Sequence, residues 1–111
     1  MKNESLAPLH DIQTAGNAVR QFVSGRTFEE YAADDLLRSA VERKFEIIGE
    51  ALNRIRRDDP DLLDQIREHR SVISFRNILV HGYDTIDDHI VWSVTQDGLS
   101  RLLDDVEQLL L

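Results

Sequence analysis

Four residues that can act on a phosphodiester stand within eight positions of one another: Arg76, Asn77, His81 and Tyr83. An Arg side chain stays charged and presents a fork of N–H donors that fits a phosphate. A His side chain exchanges a proton near neutral pH. These are the two parts that RNA cleavage without a metal needs, and such chemistry is the first hypothesis for the chain.

The spacing of these residues leaves a plainer alternative open. On an ideal helix Arg76 and His81 are about 140° apart and do not share a face, although His81 falls near a helix end, where the backbone turns. Asn77 and His81 are four apart, share a face and could form a hydrogen bond. A His at a helix C-terminus is also a favourable partner for the helix dipole, however, and an Arg is often a solvated surface residue.

The charge of the chain is unevenly distributed. The net charge is −8, yet 9 of the 13 basic residues lie within residues 38–76. A folded cleft that gathers several arginines could attract a phosphate locally, although the global field repels RNA. Alternatively, these side chains only solvate helix faces. The arginines concerned are Arg54, Arg56, Arg57, Arg67, Arg70 and Arg76.

Composition limits the class of protein. The 111 residues are 41% hydrophobic and 31% charged, which fits one globular domain over residues 1–111. There is no Cys, and His10, His69 and His89 follow no metal-ligand spacing, so we expect neither a metal nor another cofactor. No apolar run reaches the ~20 residues of a membrane span, and the N-terminus lacks a signal-peptide core. We therefore expect a cytoplasmic protein with no membrane partner.

Hydrophobic residues recur at three-to-four spacing through most of the chain. This pattern predicts an all-α fold, an up-down bundle of four to five helices. The first helix should end near Ser24 and Gly25. Two long helices should each bury one stripe, formed by Leu37, Val41, Phe45, Ile48, Leu52 and Ile55 and by Val91, Val94, Gly98, Leu102, Val106 and Leu109.

Helix ends carry their own signals. A fourth helix is expected over about residues 61–69 and a fifth over about residues 72–80, the latter closed by Gly82 in a left-handed conformation. The predicted N-terminal caps are Thr27 with Glu30 in a capping box, Asp34 or Asp35, Asp59 followed by Pro60, and Asp87.

Three other features bear on packing. Gly49 lies inside a helix, where it costs ~1 kcal/mol relative to Ala, and a close helix–helix or subunit contact would compensate. Leu99, Leu103 and Leu110 form a second apolar stripe, which fits either a self-association surface or a helix that faces two neighbours. A row of acidic residues at four-residue steps is typical of a solvated helix face: Glu42, Glu46 and Glu50.

Residues 76–81 resemble the Arg-x-x-x-x-His signature of HEPN-domain ribonucleases, in the form in which Asn follows the Arg. With Gly82 and Tyr83 the segment is similar to the Arg-x-x-x-x-His-x-Tyr form of HepT-like toxins of the HepT/MntA toxin–antitoxin systems. Residues 45–51 resemble the third helix of that family and residues 88–92 the start of its last helix. The Trp and Gly that often precede the Arg in that family are absent from residues 72–75.

The resemblance implies a HEPN-like domain that works as a homodimer or higher homo-oligomer, with two motifs meeting across a two-fold axis. It further implies a metal-independent endoribonuclease. In that enzyme Arg76 holds the phosphate, His81 exchanges protons and Asn77 orients His81 or a phosphate oxygen. DNA lacks the 2′-hydroxyl, so RNA alone should be cleaved.

Tyr83 has a separate implied role. In HepT-like proteins the matching Tyr accepts AMP from an MntA-type nucleotidyltransferase antitoxin, which would make this chain the toxin of a type VII-like toxin–antitoxin system. As an alternative, Tyr83 is a packing residue. The chain itself could also be a catalytically silent HEPN module that binds nucleotide or scaffolds a nucleotidyltransferase, or a purely structural bundle.

Overall fold

Seven α-helices follow one another in a computed structural model that describes the backbone of residues 1–111 and every side chain except that of Tyr83. The helices are α1 (Leu6–Val23), α2 (Phe28–Ala33), α3 (Asp35–Asp58), α4 (Pro60–Leu63), α5 (His69–His81), α6 (Asp88–Ser93) and α7 (Leu99–Leu110). Short 3-10 turns occupy Asn3–Ser5 and Tyr83–Thr85, and a π-helical segment, Val94–Gly98, joins α6 to α7. The described backbone contains no strand, which confirms the all-α prediction.

The long helix α3 is the centre of the bundle. It packs against α1 on one side and α5 on the other, and α1 also contacts α7. Every residue of its predicted stripe is buried, because apolar residues at three-to-four spacing line one face of a helix. From this stripe Phe45 contacts Phe75 of α5 edge to face, with ring centroids 5.2 Å apart. The elements that carry the candidate chemistry are thus fixed to one another by core packing.

Most of the predicted helix starts are confirmed. Thr27 and Glu30 form a reciprocal capping box, with N–H to side-chain oxygen distances of 2.9 and 3.1 Å. Asp34, rather than Asp35, caps α3 by accepting from the backbone N–H of Leu37. Asp87 caps α6 in the same way through His89. After α1 ends, Gly25 adopts a positive φ of 73°.

The fourth helix is much shorter than predicted. It ends at Leu63 instead of about residue 69, and the chain then turns. The backbone N–H of Arg67 donates to Asp105 of α7 at 2.9 Å instead of continuing a helix. Asp59 is the N-cap residue of α4 and Pro60 its first residue, as predicted, but the Asp59 side chain makes no capping hydrogen bond. Its carboxylate accepts from the backbone N–H of Lys2 at 3.1 Å and from the Ser5 hydroxyl at 2.9 Å, which joins the start of the chain to the end of α3.

The fifth helix begins earlier than predicted and ends at the predicted position, but without a left-handed glycine. It begins at His69, three residues early, and remains helical through His81. Gly82 has a φ of −128° and is not left-handed, contrary to expectation. The reason is that its N–H still bonds to the carbonyl of Ile78, and its own carbonyl accepts from the N–H of Thr85 in the following 3-10 turn. No left-handed residue is needed to end α5.

The last predicted helix is divided by the π-helical segment into α6 and α7. Val94 and Leu109 are only half-buried, contrary to the predicted stripe. Leu99 and Leu103 are buried inside the bundle, and Leu103 lies against Gly16 of α1. For Leu99 and Leu103, the second apolar stripe is therefore explained by a helix that faces two neighbours within the bundle.

No helix in the described chain is both long enough and apolar enough to cross a membrane.

Candidate active site

Arg76 lies on the flank of α5 that faces α3. Its Nη2 donates to Glu50 Oε2 at 2.7 Å, and its Nη1 donates to Asn77 Oδ1 at 3.2 Å. Its side chain is 22% exposed, against 58% for Glu50. Its Nε is buried without a hydrogen-bond partner among the described atoms. The guanidinium is thus bound at both terminal nitrogens and still has one unsatisfied donor.

Gly49 makes room for this side chain. A Cβ added to Gly49 would overlap Cβ and Cγ of Arg76 and would stand 3.4 Å from its Cδ. The close helix–helix contact predicted for Gly49 is therefore present, and it is made with the stem of Arg76. The absence of a Cβ at Gly49 therefore lets α3 and α5 approach each other closely at Arg76.

His81 is the last residue of α5 and is exposed. Because α5 stays helical through His81, helix geometry keeps Arg76 and His81 about 140° apart. Asn77 is exposed on the same face as His81. However, no hydrogen bond joins these two residues in the described part of the chain, and Asn77 bonds to Arg76 instead. One chain alone does not bring Arg76 and His81 onto one face.

A pocket of about 190 Å³ opens beside Arg76 between α3 and α5. Two further ion pairs lie in its wall, Arg43 with Glu46 and Arg54 with Asp11, each at 3.1 Å. Three arginines and three carboxylates therefore face this pocket. Exposed ion pairs of this kind contribute only ~0–1 kcal/mol, so a phosphate can compete for these arginines.

Sequence reasoning missed the role of Glu50. The row of acidic residues at four-residue steps predicts a solvated helix face, but Glu50 pairs with Arg76, which lies 26 positions away. The only local signal is its position next to Gly49 on α3. Such a long-range pairing depends on how α3 and α5 pack, which periodicity does not specify.

Of the two alternatives for the six arginines, the single cleft that gathers them all is wrong. Arg57 pairs with Asp58, and Arg67 pairs with Asp105. Arg54 and Arg76 line the pocket just described. Arg56 and Arg70 line a separate groove, and Arg56 is about 200° around α3 from Arg54, on the other side of the helix.

Two other expectations concern Tyr83 and metals. The side chain of Tyr83 lies outside the part of the chain that the structure describes. The backbone there is a 3-10 turn in which the Thr85 hydroxyl donates to the carbonyl of Gly82 at 2.7 Å. Within the described side chains, no group of three or more His, Asp or Glu residues is arranged to hold a metal ion.

The proteins that this chain is similar to belong to one class. The family model described as "Ribonuclease HepT-like" matches residues 12–109. A protein of Methanocaldococcus jannaschii to which RNase activity is ascribed is 30% identical over 106 residues, which cover 96% of each chain. A protein of Thermococcus cleftensis that bears the name ribonuclease HepT is 30% identical over 109 residues, which cover 98% of each. No solved structure matches the chain.

The protein is therefore a ribonuclease by class. More particularly, the chain belongs to the ribonuclease HepT-like family.

Proposed function

We propose that the chain is a metal-independent endoribonuclease whose active centre combines Arg76 and His81 from two copies, with Asn77 beside them. The observation that carries this proposal is that residues of the same chain hold the Arg76 side chain in position. Its stem lies over Gly49, and its guanidinium is bound by Glu50 and Asn77 before any substrate arrives. A preorganised cation stabilises developing negative charge without further reorganisation.

The proposed reaction uses the 2′-hydroxyl of RNA as the nucleophile. One imidazole takes the 2′-hydroxyl proton as the 2′-oxygen attacks phosphorus. The P–O2′ bond forms, the P–O5′ bond breaks, and a second, protonated imidazole gives its proton to the departing 5′-oxygen. The products are a 2′,3′-cyclic phosphate and a 5′-hydroxyl. Arg76 neutralises charge on the crowded phosphorus centre, and the amide nitrogen of Asn77 is available for a phosphate oxygen.

The need for two imidazoles supports a dimer. One chain supplies a single motif His, and a two-fold axis would supply the second together with another Arg76. Two apolar residues at the same end of α5 are exposed, Ile78 at 48% and Val80 at 38%. Apolar surface beside His81 favours an isologous contact there, because burying it against its own copy is favourable.

The enzyme proposal is tested by His81→Ala, with His10→Ala of α1 as the matched control. We expect His81→Ala to lose at least the ~10²–10⁴-fold typical of acid–base catalysis, measured on a labelled RNA in the presence of a chelator. His10→Ala should cleave like wild type, and sedimentation should give the same mass for all three proteins. Equal cleavage by wild type and His81→Ala would remove the proposal.

The finer proposal is that this ribonuclease is a toxin that a nucleotidyltransferase antitoxin neutralises by AMP transfer to Tyr83. The Tyr hydroxyl would attack the α-phosphorus of ATP, losing its proton as pyrophosphate leaves. Family membership and the position of Tyr83, two residues after His81, support this. The new phosphodiester anion would compete with RNA for Arg76, an electrostatic and steric block.

A further inference from the structure

A second groove, of about 500 Å³, lies where the end of α3, α4 and the start of α5 meet. Two arginines line it, Arg56 from α3 and Arg70 from α5, and both are exposed. His69 and Ser74 of α5 also face the groove. Its size falls within the roughly 300–1,000 Å³ of small-molecule sites, so a nucleotide fits.

These two arginines differ from all the others in the described part of the chain. Eight of the eleven arginines make ion pairs. Arg20 donates to the Ser100 hydroxyl. Only Arg56 and Arg70 have no side-chain or backbone acceptor among the described residues. Asp61 and Asp64 also line the groove, but neither forms an ion pair with Arg56 or Arg70, so both guanidinium groups keep their donors for an anionic ligand.

Buried polar atoms without hydrogen-bond partners are found mainly on α3 and α5. Four buried side-chain nitrogen or oxygen atoms have no partner in the described structure. Three of them lie on α3 and α5, and two of these belong to residues that line the two pockets, Arg76 and His69: Asn53 Oδ1, His69 Nδ1 and Arg76 Nε. A buried polar atom without a partner is unfavourable by ~1–3 kcal/mol, so a polar ligand or water in these pockets would be favourable where it reaches such an atom.

The register of α5 connects the groove to the candidate active site. Arg70, Ser74, Asn77 and His81 follow at steps of four, three and four, and these steps place them on one face. All four are exposed. At 1.5 Å per residue, Arg70 lies about 16 Å from His81 along the helix axis, roughly the reach of two or three nucleotides.

We propose that this groove binds the RNA strand on one side of the scissile bond, an inference that rests on the proposed ribonuclease activity. Arg56 and Arg70 bind backbone phosphates. Asp61 and Asp64 also line the groove, and their carboxylates accept from the amino groups of a base, as carboxylates do in nucleic-acid recognition. The groove is thus a subsite for a nucleotide that is bound but not cut.

The test compares Arg56→Ala/Arg70→Ala with Arg20→Ala/Arg26→Ala, which removes the same charge from the C-terminal end of α1. That end is remote from the groove, because Asp11 and Ser5 place the start of α1 beside the end of α3. Binding of a 2′-O-methyl RNA of about ten nucleotides, which cannot be cut, is measured by fluorescence anisotropy over a range of salt. Cleavage is measured on the matching RNA and on a dinucleoside monophosphate too short to reach the groove.

We expect the groove variant to bind the long RNA at least about tenfold more weakly, with a salt slope shallower by ~1.4 for two lost phosphate contacts at ~0.7 each. Its KM on the long RNA should rise with kcat little changed, while dinucleotide cleavage and the control variant should match wild type. Unchanged binding, or an equal loss on the dinucleotide, would overturn the proposal. So would weaker self-association of the groove variant in sedimentation, which would assign the groove to a second copy. If wild type cleaves no RNA, the enzyme proposal fails instead.

Discussion

The Arg76 side chain rests on the Cα of Gly49, and the neighbouring Glu50 binds its far end. Two consecutive residues of α3 therefore position one guanidinium of α5. One does so by lacking a Cβ and the other through its carboxylate. Since these contacts are made within a single chain, the position of Arg76 does not depend on a partner.

Gly49→Ala should displace Arg76. The added methyl overlaps the stem of Arg76, so α5 must shift or the side chain must leave its position. We expect kcat/KM for RNA to fall at least about tenfold, because misplacement by ~1 Å costs up to ~10² in rate. The gain in helix propensity, ~1 kcal/mol, should offset part of the strain and keep the protein folded. Steady-state cleavage and thermal unfolding measure the two effects separately.

Gly16→Ala is the matched control for that variant. Its new methyl meets the Leu103 side chain in the α1–α7 contact, at 2.6 Å from Cδ2. The contact lies away from Arg76, so only the free energy of unfolding should change. Wild-type kcat/KM in Gly49→Ala, or an equal loss of kcat/KM in both variants, would contradict the positioning role.

Two substitutions of Glu50 separate its charge from its hydrogen bond. Glu50→Gln keeps an acceptor for Arg76 and removes one negative charge beside the phosphate, so KM for RNA should fall or stay the same with kcat retained. Glu50→Ala removes both and should lower kcat about tenfold or more. Stability should change by less than ~1 kcal/mol in either variant, because the pair is exposed. Identical kinetics for Gln and Ala would show that Glu50 does not position Arg76.

Mixed dimers test whether one scissile bond needs two imidazoles. Wild type and His81→Ala are unfolded together and refolded at equal amounts, so that about half of the wild-type chains pair with a variant chain. If both imidazoles act on one bond, the activity per wild-type chain should fall to about half. Unchanged activity per wild-type chain would mean that each His81 works alone.

Tyr83→Phe should retain ribonuclease activity and escape neutralisation. The phenol oxygen is the proposed acceptor of AMP and has no part in the cleavage step. Wild type and variant are incubated with a HepT-associated nucleotidyltransferase and ATP, and intact mass and RNA cleavage are then measured. Wild type should gain the mass of one AMP and lose activity. A variant that is still modified and silenced would exclude Tyr83 as the acceptor.

Asp59→Asn should destabilise the protein at neutral pH and lose this effect in acid. The hydrogen bond from the Lys2 N–H, with that of the Ser5 hydroxyl, keeps the pKa of Asp59 below its ordinary value of 3.8. The stability that these bonds supply is present above that value and disappears as pH falls through the lowered pKa. Denaturant unfolding at a series of pH values should show the two proteins converging in acid. A constant difference between them would contradict the role of the charge.

Local signals predicted local structure well. The capping box of Thr27 and Glu30 and the cap at Asp34 depend on residues within three positions of each other, and both form as expected. The stripe of α3 is likewise a matter of periodicity alone. Such features need no knowledge of what packs against them.

The sequence predictions fail where the partner of a side chain is distant in the sequence. Asp59 is the N-cap residue of α4 as predicted, but its carboxylate accepts from residues 54 and 57 positions away instead of capping the helix. The contact of Glu50 with Arg76 spans 26 positions. The motif was recognised from its spacing, whereas the groove at Arg56 exists only because α3 and α5 bring their ends together. Sequence therefore indicated the candidate residues for the chemistry, but not which neighbours position them.

The π-helical segment Val94–Gly98 has a consequence for α7. A wider turn absorbs one residue more than an α-helical turn does, so everything after Gly98 is rotated relative to a continuous helix. Deleting one residue there would rotate α7 about its own axis by about 100°. Leu102 and Val106 would then leave the interior. The number of residues in this segment, more than their side chains, therefore determines which face of α7 is buried.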